Sequence, residues 1–366
     1  MDESVTAAVE TMLLPGADPM AVVAASEHVI AWAHARQLEA LNEAAREQPE
    51  YLDPTGALVD PAPAEVATTL SWSTGAAARR LDLAAEVCSE LPELLDALQT
   101  GRLDLPKVQE IALGTCELDP ADRVPLVSEA VTYAGRHTRA QLRAWLTRRV
   151  AAIDPEAVQR RRKTAERKRR VWLDPERDGM ATIGAYLTAE EAQACWNALV
   201  AVAANIEGGQ DAARADAFVA LVTGLDVGQP VPVQVLVTPA GPELVGHGPL
   251  SPSHAAELCG GAERIDVTPV PESPGYRPAP GLARWVRTRD RHCRFPGCRR
   301  PAVHCDLDHV IPYPAGSTHD GNLATLCRYH HRLKTHTPWR VRMLPDASLE
   351  WISPRGKVLR TSLEDP

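Results

Sequence analysis

Between residues 293 and 336 the sequence reads CRFPGCRRPAVHCDLDHVIPYPAGSTHDGNLATLCRYHHRLKTH, a stretch dense in residue types that hold metals or move protons. Cys293 and Cys298 flank a Pro-Gly turn, which lets two thiolates converge on one ion. Cys327 and His330 stand three apart in a segment expected to be helical, and so share a face. Two such pairs make a Cys3His tetrahedron, a closed structural site for Zn2+. Cys305 is the rival ligand. Its place in an alternating strand, His304-Cys305-Asp306-Leu307, favours packing in the core instead.

A second layer is reactive. Asp308-His309 ends that strand, and His331 follows the zinc-binding His330. One helix step turns a side chain by ~100°, so His331 leaves the zinc face and points back toward Asp308. A carboxylate and an imidazole there can hold a hard divalent ion, Mg2+ or Mn2+, with water positions open. His309 is then free to deprotonate a water beside a scissile phosphate, work that suits a neutral imidazole. Asn322, in the loop after Gly321, can tie that loop to the strand and fix the orientation of His309. Arg328, Arg332 and Lys334 decorate the helix beside His331 and are expected to reach phosphates. Tyr313 and His319 read as solvated loop residues, His304 as anything from a surface residue to a supporting one, and Trp285 and Trp339 as core.

The pattern closely resembles the HNH nucleases, over roughly residues 281–340. The resemblance implies a catalytic unit of two strands and a helix gripping one metal, with His309 as general base and Asp308 and His331 as ligands of the catalytic ion. It further implies Asn322 as a positioning residue and Cys293, Cys298, Cys327 and His330 as zinc ligands. The implied activity is endonucleolytic hydrolysis of nucleic acid, with double-stranded DNA as the expected partner. The alternative is a zinc-stapled nucleic-acid-binding module without hydrolytic activity, which would have no use for Asp308, His309 and His331 together at this spacing. The whole chain also resembles a large actinobacterial family in which a helical domain of uncharacterised function precedes such a unit. Asp178-Gly179-Met180-Ala181, Arg214-Ala215-Asp216-Ala217 and Gly246-His247-Gly248-Pro249-Leu250 carry that likeness without carrying chemistry.

The elements that must position these residues follow from periodicity. Apolar residues at helical spacing from Met20 to Gln48, and in segments onward to Ala152, predict a helical region over 1–155. Thr138 with Gln141 has the form of a capping box. Residues 156–250 read as an α/β continuation: a hairpin with a turn at Asp178-Gly179, a helix capped by Thr188, a helix over Asp211–Val222, and a strand at Val231–Thr238 whose Pro232 marks an edge or a start. A Pro- and Gly-rich stretch, 251–280, reads as a linker, and 281–366 as the nuclease domain closed by three short strands. The fold class is α+β.

Composition bounds the rest. The chain has 366 residues with 45% apolar and 24% charged, an ordinary globular balance, and only 2 Phe, so a core must rest on Ala, Leu and Val. Net charge is −9, but residues 281–336 hold ten Arg or Lys against four acids, so that window carries +6 and the remainder −15. A basic module on an acidic body fits a phosphate-binding part. The basic run QRRRKTAERKRR (159–170) reads chiefly as a solvated helical tail. Cys88, Cys116, Cys195 and Cys259 are widely spaced and read as buried apolar side chains. The amino terminus is acidic without a following apolar run, and no apolar stretch is long enough to span a bilayer, so a cytoplasmic protein is expected. Oligomeric state stays open.

Overall fold

Ala, Leu and Val at helical spacing do build the core of the front half. The helices are α1 (Glu3–Leu13), α2 (Pro19–Arg46), α3 (Ala62–Leu70), α4 (Thr74–Ser89), α5 (Pro92–Gln99), α6 (Leu105–Thr115), α7 (Pro120–Ala134), α8 (Arg139–Ile153) and α9 (Pro155–Arg167). Leu38, Leu94, Leu98, Ile111, Leu142 and Leu146 meet at its centre, each 2% exposed or less. Several helices start on caps visible in the sequence. The Asp18 and Asp104 side chains accept from backbone N–H groups, and Thr138 with Gln141 forms the full reciprocal box.

In the computed structural model, residues 3–363 are described except 177, 230, 232, 239, 240, 246, 259–262, 268, 269 and 271. Pro232, Gly246 and Cys259 of the sequence reading therefore lie outside the described residues. The chain divides into two compact units, Met1–Thr164 and Ala165–Pro366, with the division falling inside α9. Within the first unit the basic run is partly anchored: Arg160 pairs with Asp154, and Arg161 donates to the Gly114 carbonyl.

The second unit opens with an antiparallel hairpin, β1 (Arg170–Pro175) and β2 (Ala181–Tyr186). Asp178 and Gly179 both take positive φ, 60° and 73°, as the predicted hairpin turn requires. The Thr188 cap, a full box with Glu191, starts α10 (Ala189–Ala203), and α11 (Gln210–Thr223) packs beside it. Next come β3 (Gln234–Thr238), β4 (Gly241–Leu244), β5 (Gly248–Pro249), α12 (Pro252–Leu258) and β6 (Glu263–Asp266), with sheet order β5-β4-β3-β6.

The stretch expected to be a linker, 251–280, is thus not bare coil. It contains α12, β6 paired in parallel with β3, and β7 (Glu272–Ser273). Strands this short among Pro and Gly show no alternation that a sequence reading can use. Then come α13 (Pro280–Asp290), β8 (Asp306–His309), β9 (Thr318–His319), β10 (Leu323–Leu326) and α14 (Arg328–His336). The module closes with the meander β11 (Arg340–Met343), β12 (Leu349–Ile352) and β13 (Val358–Thr361). Strand β8 pairs antiparallel with β10, and β7 pairs with β9 through Ser273↔Thr318. No helix among the described residues is long and apolar enough to cross a membrane.

Candidate metal centre

The Cys293 end of the cluster is shaped by a turn. Cys298 N–H bonds the Phe295 carbonyl at 3.0 Å, with Pro296 and Gly297 between them and Gly297 at φ 73°. That is a turn with Pro first and a left-handed Gly second, and it brings the two sulfurs to one side. At the other end Cys327 is the N-cap of α14 and His330 lies three residues into it. A cap and its third residue face each other by geometry, here as Cys327 Sγ and His330 Nδ1 at 3.2 Å. The donor atoms of Cys293, Cys298, Cys327 and His330 all lie within 4.8 Å of one another. Cys293 Sγ is 3.4 Å from His330 Nδ1. A zinc tetrahedron with bonds of about 2.3 Å to sulfur and 2.0 Å to nitrogen has S···N edges of roughly 3.5 Å, so the donors fit that ion.

Burial pushes the Cys293 thiol well above its ordinary value, while hydrogen bonds from Cys293 and Cys298 pull Cys327 far below it. Phe295 stacks on His330 at 3.9 Å and meets Trp339 and Trp351 edge-on, fixing the imidazole plane. Cys305 is outside the four mutually close donors, though its thiol interacts with that of Cys293. It precedes β8 rather than lying in it, is buried, and donates to the Pro301 carbonyl at 3.4 Å. His304 is exposed in a short turn ahead of the strand.

Alternation along β8 sends Asp306 and Asp308 toward α14 and His309 the other way. His331 Nδ1 meets Asp306 Oδ2 at 2.8 Å, and its Nε2 lies 3.4 Å from Asp308 Oδ1. Burial opposes ionisation of Asp306, yet hydrogen bonds from His331 and Arg328 hold its carboxyl below the usual range. A neutral His331 that donates from Nδ1 turns the Nε2 lone pair toward a carboxylate oxygen. Two electron-pair donors facing each other at this distance suit a shared cation. Asp306, which sequence reasoning missed, is thus the residue that orients His331. Its signal was present, since it stands two residues from Asp308 on the same strand.

His309 is buried and its Nε2 lies 2.8 Å from Thr318 Oγ1. The Thr318 hydroxyl donates to the Gly275 carbonyl at 2.6 Å. Burial, with Lys334 and His319 nearby, holds His309 below the ordinary imidazole value against the pull of Asp308. Tyr276 stacks over the ring at 5.3 Å, and Tyr313 stands edge-on to Tyr276 at 5.9 Å. Gly275, Tyr276 and Thr318 were all missed in the sequence, while Tyr313, read as a solvated loop residue, stands beside His309. Asn322 does tie the loop down: its Oδ1 accepts from Ile311 N–H, and its Nδ2 donates to the Ile311 and Ser317 carbonyls. Its recorded contacts go to that loop and not to the His309 ring. His319 accepts from Gly321 N–H, a local turn contact.

Of the three cations expected to reach phosphate, Lys334 is otherwise engaged. Its ammonium bonds Asp308 Oδ2 at 2.6 Å and the His309 carbonyl, with the side chain 11% exposed. It is therefore a structural cation. Arg328 pairs with Asp306 at the surface, and Arg332 is half-buried. The +6 window shrinks further inward. Arg289 and Arg294 both bind the fully buried Asp290 carboxylate, and Arg291 pairs with Glu243.

These features define a Cys3His module able to hold a metal such as zinc, in a chain that begins with a helical unit. Residues 24–225 match the family described as "Domain of unknown function (DUF222)", and the chain belongs to that family. It is similar to the uncharacterized protein Rv3776 of Mycobacterium tuberculosis (strain H37Rv), 42% identical over 135 residues, which cover 36% of this chain and 26% of that protein. It is also similar to the uncharacterized protein Rv2100 of the same organism, 44% identical over 131 residues, 34% of this chain and 24% of the relative. The similarity thus spans about a quarter of the length of these relatives. No solved structure matches the chain.

Proposed function

We propose that residues 281–366 form a metal-dependent HNH endonuclease that hydrolyses phosphodiester bonds of double-stranded DNA. The observation that carries this is the facing pair Asp308 Oδ1 of β8 and His331 Nε2 of α14, 3.4 Å apart, beside the buried His309 that ends β8. His309 carries its proton on Nε2, held by Thr318, so Nδ1 keeps the lone pair with which to take a proton from water. Its depressed pKa keeps it in the basic form at neutral pH. Asp308 and His331 would hold Mg2+ or Mn2+, which when bound stabilises charge on the scissile phosphate and the departing 3′ oxygen. Exposed Arg328 is placed to meet a neighbouring phosphate. The four-residue cluster would hold Zn2+ and keep strand and helix in register. Free cysteines throughout the described residues fit a reducing, cytoplasmic setting.

The test is plasmid nicking with Mg2+ or Mn2+. Wild type should nick, and His309→Ala should lose about a hundredfold or more of the rate. Equal nicking by both would remove His309 from the role of base. One observation favours a second reading, a zinc-stapled DNA-binding module without hydrolysis: the Lys334 ammonium already occupies Asp308 Oδ2. On that reading wild type binds a duplex oligonucleotide yet nicks no DNA with either ion.

A further inference from the structure

We infer that the second unit contains a separate binding site for a small organic anion, on the side of α13 turned away from the β8–β10 hairpin. Helix α13 has two working faces. Leu282 and Val286, both fully buried, pack with Leu323 beneath the hairpin. Arg284 and Arg287, three apart on another face, and Arg291, just past the helix's last residue, line a cavity of about 570 Å³. That volume suits a nucleotide-sized molecule.

The floor of the cavity is apolar. Leu236 of β3 and Ile265 of β6 are cross-strand partners, and Leu244 of β4 extends the surface. Val303 closes one side, in the turn that follows the Cys298 loop, and Arg299 of the same segment also lines the hollow. Among the described residues the one carboxylate in the lining is Glu243, buried and already paired with Arg291. Arg284, Arg287 and Arg299 have no side-chain hydrogen bond or ion pair with any described residue.

Three guanidiniums with no ion pair to a described residue, Arg284 and Arg299 exposed and Arg287 half-buried, make the rim of the hollow cationic, and an apolar floor is poorly served by water. An anion attached to an apolar or aromatic body answers both, the guanidiniums clamping the anionic group while the body covers Leu236 and Ile265. A DNA backbone answers only the first, because its phosphates lie on ridges and leave a concave apolar floor uncovered. The ligand is therefore an aryl or alkyl phosphate or carboxylate of nucleotide size, bound without touching Asp308, His309 or His331.

The experiment uses the full zinc-loaded chain and 1-naphthyl phosphate as probe, with inorganic phosphate and 1-naphthol as its two halves, followed by calorimetry and methyl NMR. The probe should bind at least about tenfold more tightly than either half, and should shift the methyl signals of Leu236, Leu244, Ile265 and Val303. 1-Naphthoic acid, run in parallel, separates the carboxylate form of the ligand from the phosphate form. The double variant Arg284→Glu/Arg287→Glu should weaken the probe about tenfold or more. If that variant loses zinc or its melting transition, Arg287→Gln and the methyl map decide in its place. Equal binding by a half-molecule, unchanged affinity in the variants, or shifts elsewhere would overturn the site. So would displacement of the probe by a duplex oligonucleotide, which would assign these arginines to a nucleic-acid surface.

Discussion

His309 has one proton to place, and its neighbours decide where. The Thr318 hydroxyl owns a single hydrogen and gives it to the Gly275 carbonyl, so toward His309 it can only accept. Thr318→Val should leave the Nε2–H buried without a partner, loosen the tautomer, and slow nicking about 10–100-fold, while Thr318→Ser keeps most of the rate. The 15N shifts of His309 check this apart from activity: wild type should show the Nε2–H form, and the Val variant a mixture. An unchanged tautomer and unchanged nicking in Thr318→Val would refute the relay. The residues of this arrangement differed in how readable they were. The four cluster donors were legible because each pair is local, five and three residues apart in the sequence. Gly275 and Tyr276 were not, because they reach Thr318 and His309 through a two-residue strand pairing across more than forty positions. No local spacing encodes such a contact.

At the scale of elements, charge is used for construction as often as for display. Asp290, the last residue of α13, accepts from Arg289 at 2.8 Å, Arg294 at 2.9 Å and Thr325 N–H at 2.8 Å, so one carboxylate joins α13, the Cys293–Cys298 loop and β10. Asp290→Ala leaves the buried Arg289 and Arg294 without their counter-ion and should cost about 3–5 kcal/mol, read from a thermal or denaturant transition of the second unit. A loss under about 1 kcal/mol would mean the network is dispensable. Counting charges along the sequence treated these arginines as a phosphate footprint, since nothing in a one-dimensional tally separates a buried cation from an exposed one. In the front half, Glu110 of α6 is a comparable staple, nearly buried and held by Arg139 and Arg143 of α8. Hydrogen bonds from Arg143, then Arg139, keep its carboxyl below the ordinary 4.5. A carboxyl whose folded pKa is depressed contributes fully above the unfolded value, and the contribution is lost as pH falls through the folded one. Glu110→Gln should therefore destabilise the helical unit by about 1–2 kcal/mol at pH 7 and by progressively less below pH 4.5. A gap between variant and wild type that does not narrow on acidification would rule out the ionised carboxylate as the source. Here the sequence was more informative, because α6 and α8 show their period and caps openly, though it gave no sign that Glu110 faces Arg143.

For the whole molecule, the two units rest on different physics. The first has a continuous core of Leu, Ala and Val side chains from α2, α4, α5, α6 and α8, large enough to be stable on burial alone. The Cys293–Pro366 module buries a shorter set of apolar side chains among the described residues, including Phe295, Leu323, Leu333, Trp339 and Trp351. Its strands are two to four residues long, its packing centres on Phe295, Trp339 and Trp351, and Phe295 stacks directly on His330. Small modules of this kind draw much of their folding free energy from a structural ion. The family match, residues 24–225, runs from α2 to α11 and ends before the cluster begins, so the donors able to hold a metal belong to the part of the chain beyond it. Stripping metal with a chelator, or replacing Cys298 by Ser, should therefore abolish one calorimetric transition and leave the other in place. The surviving transition should retain most of the far-UV helical signal, because the first unit is helical and contains none of the four donors. Metal analysis should find about one zinc per chain in wild type and none in Cys298→Ser. If both transitions persist after the chelator, the four donors are only a buried polar cluster. If both vanish, the helical unit leans on the second one for its stability, and its own core is weaker than its burial implies.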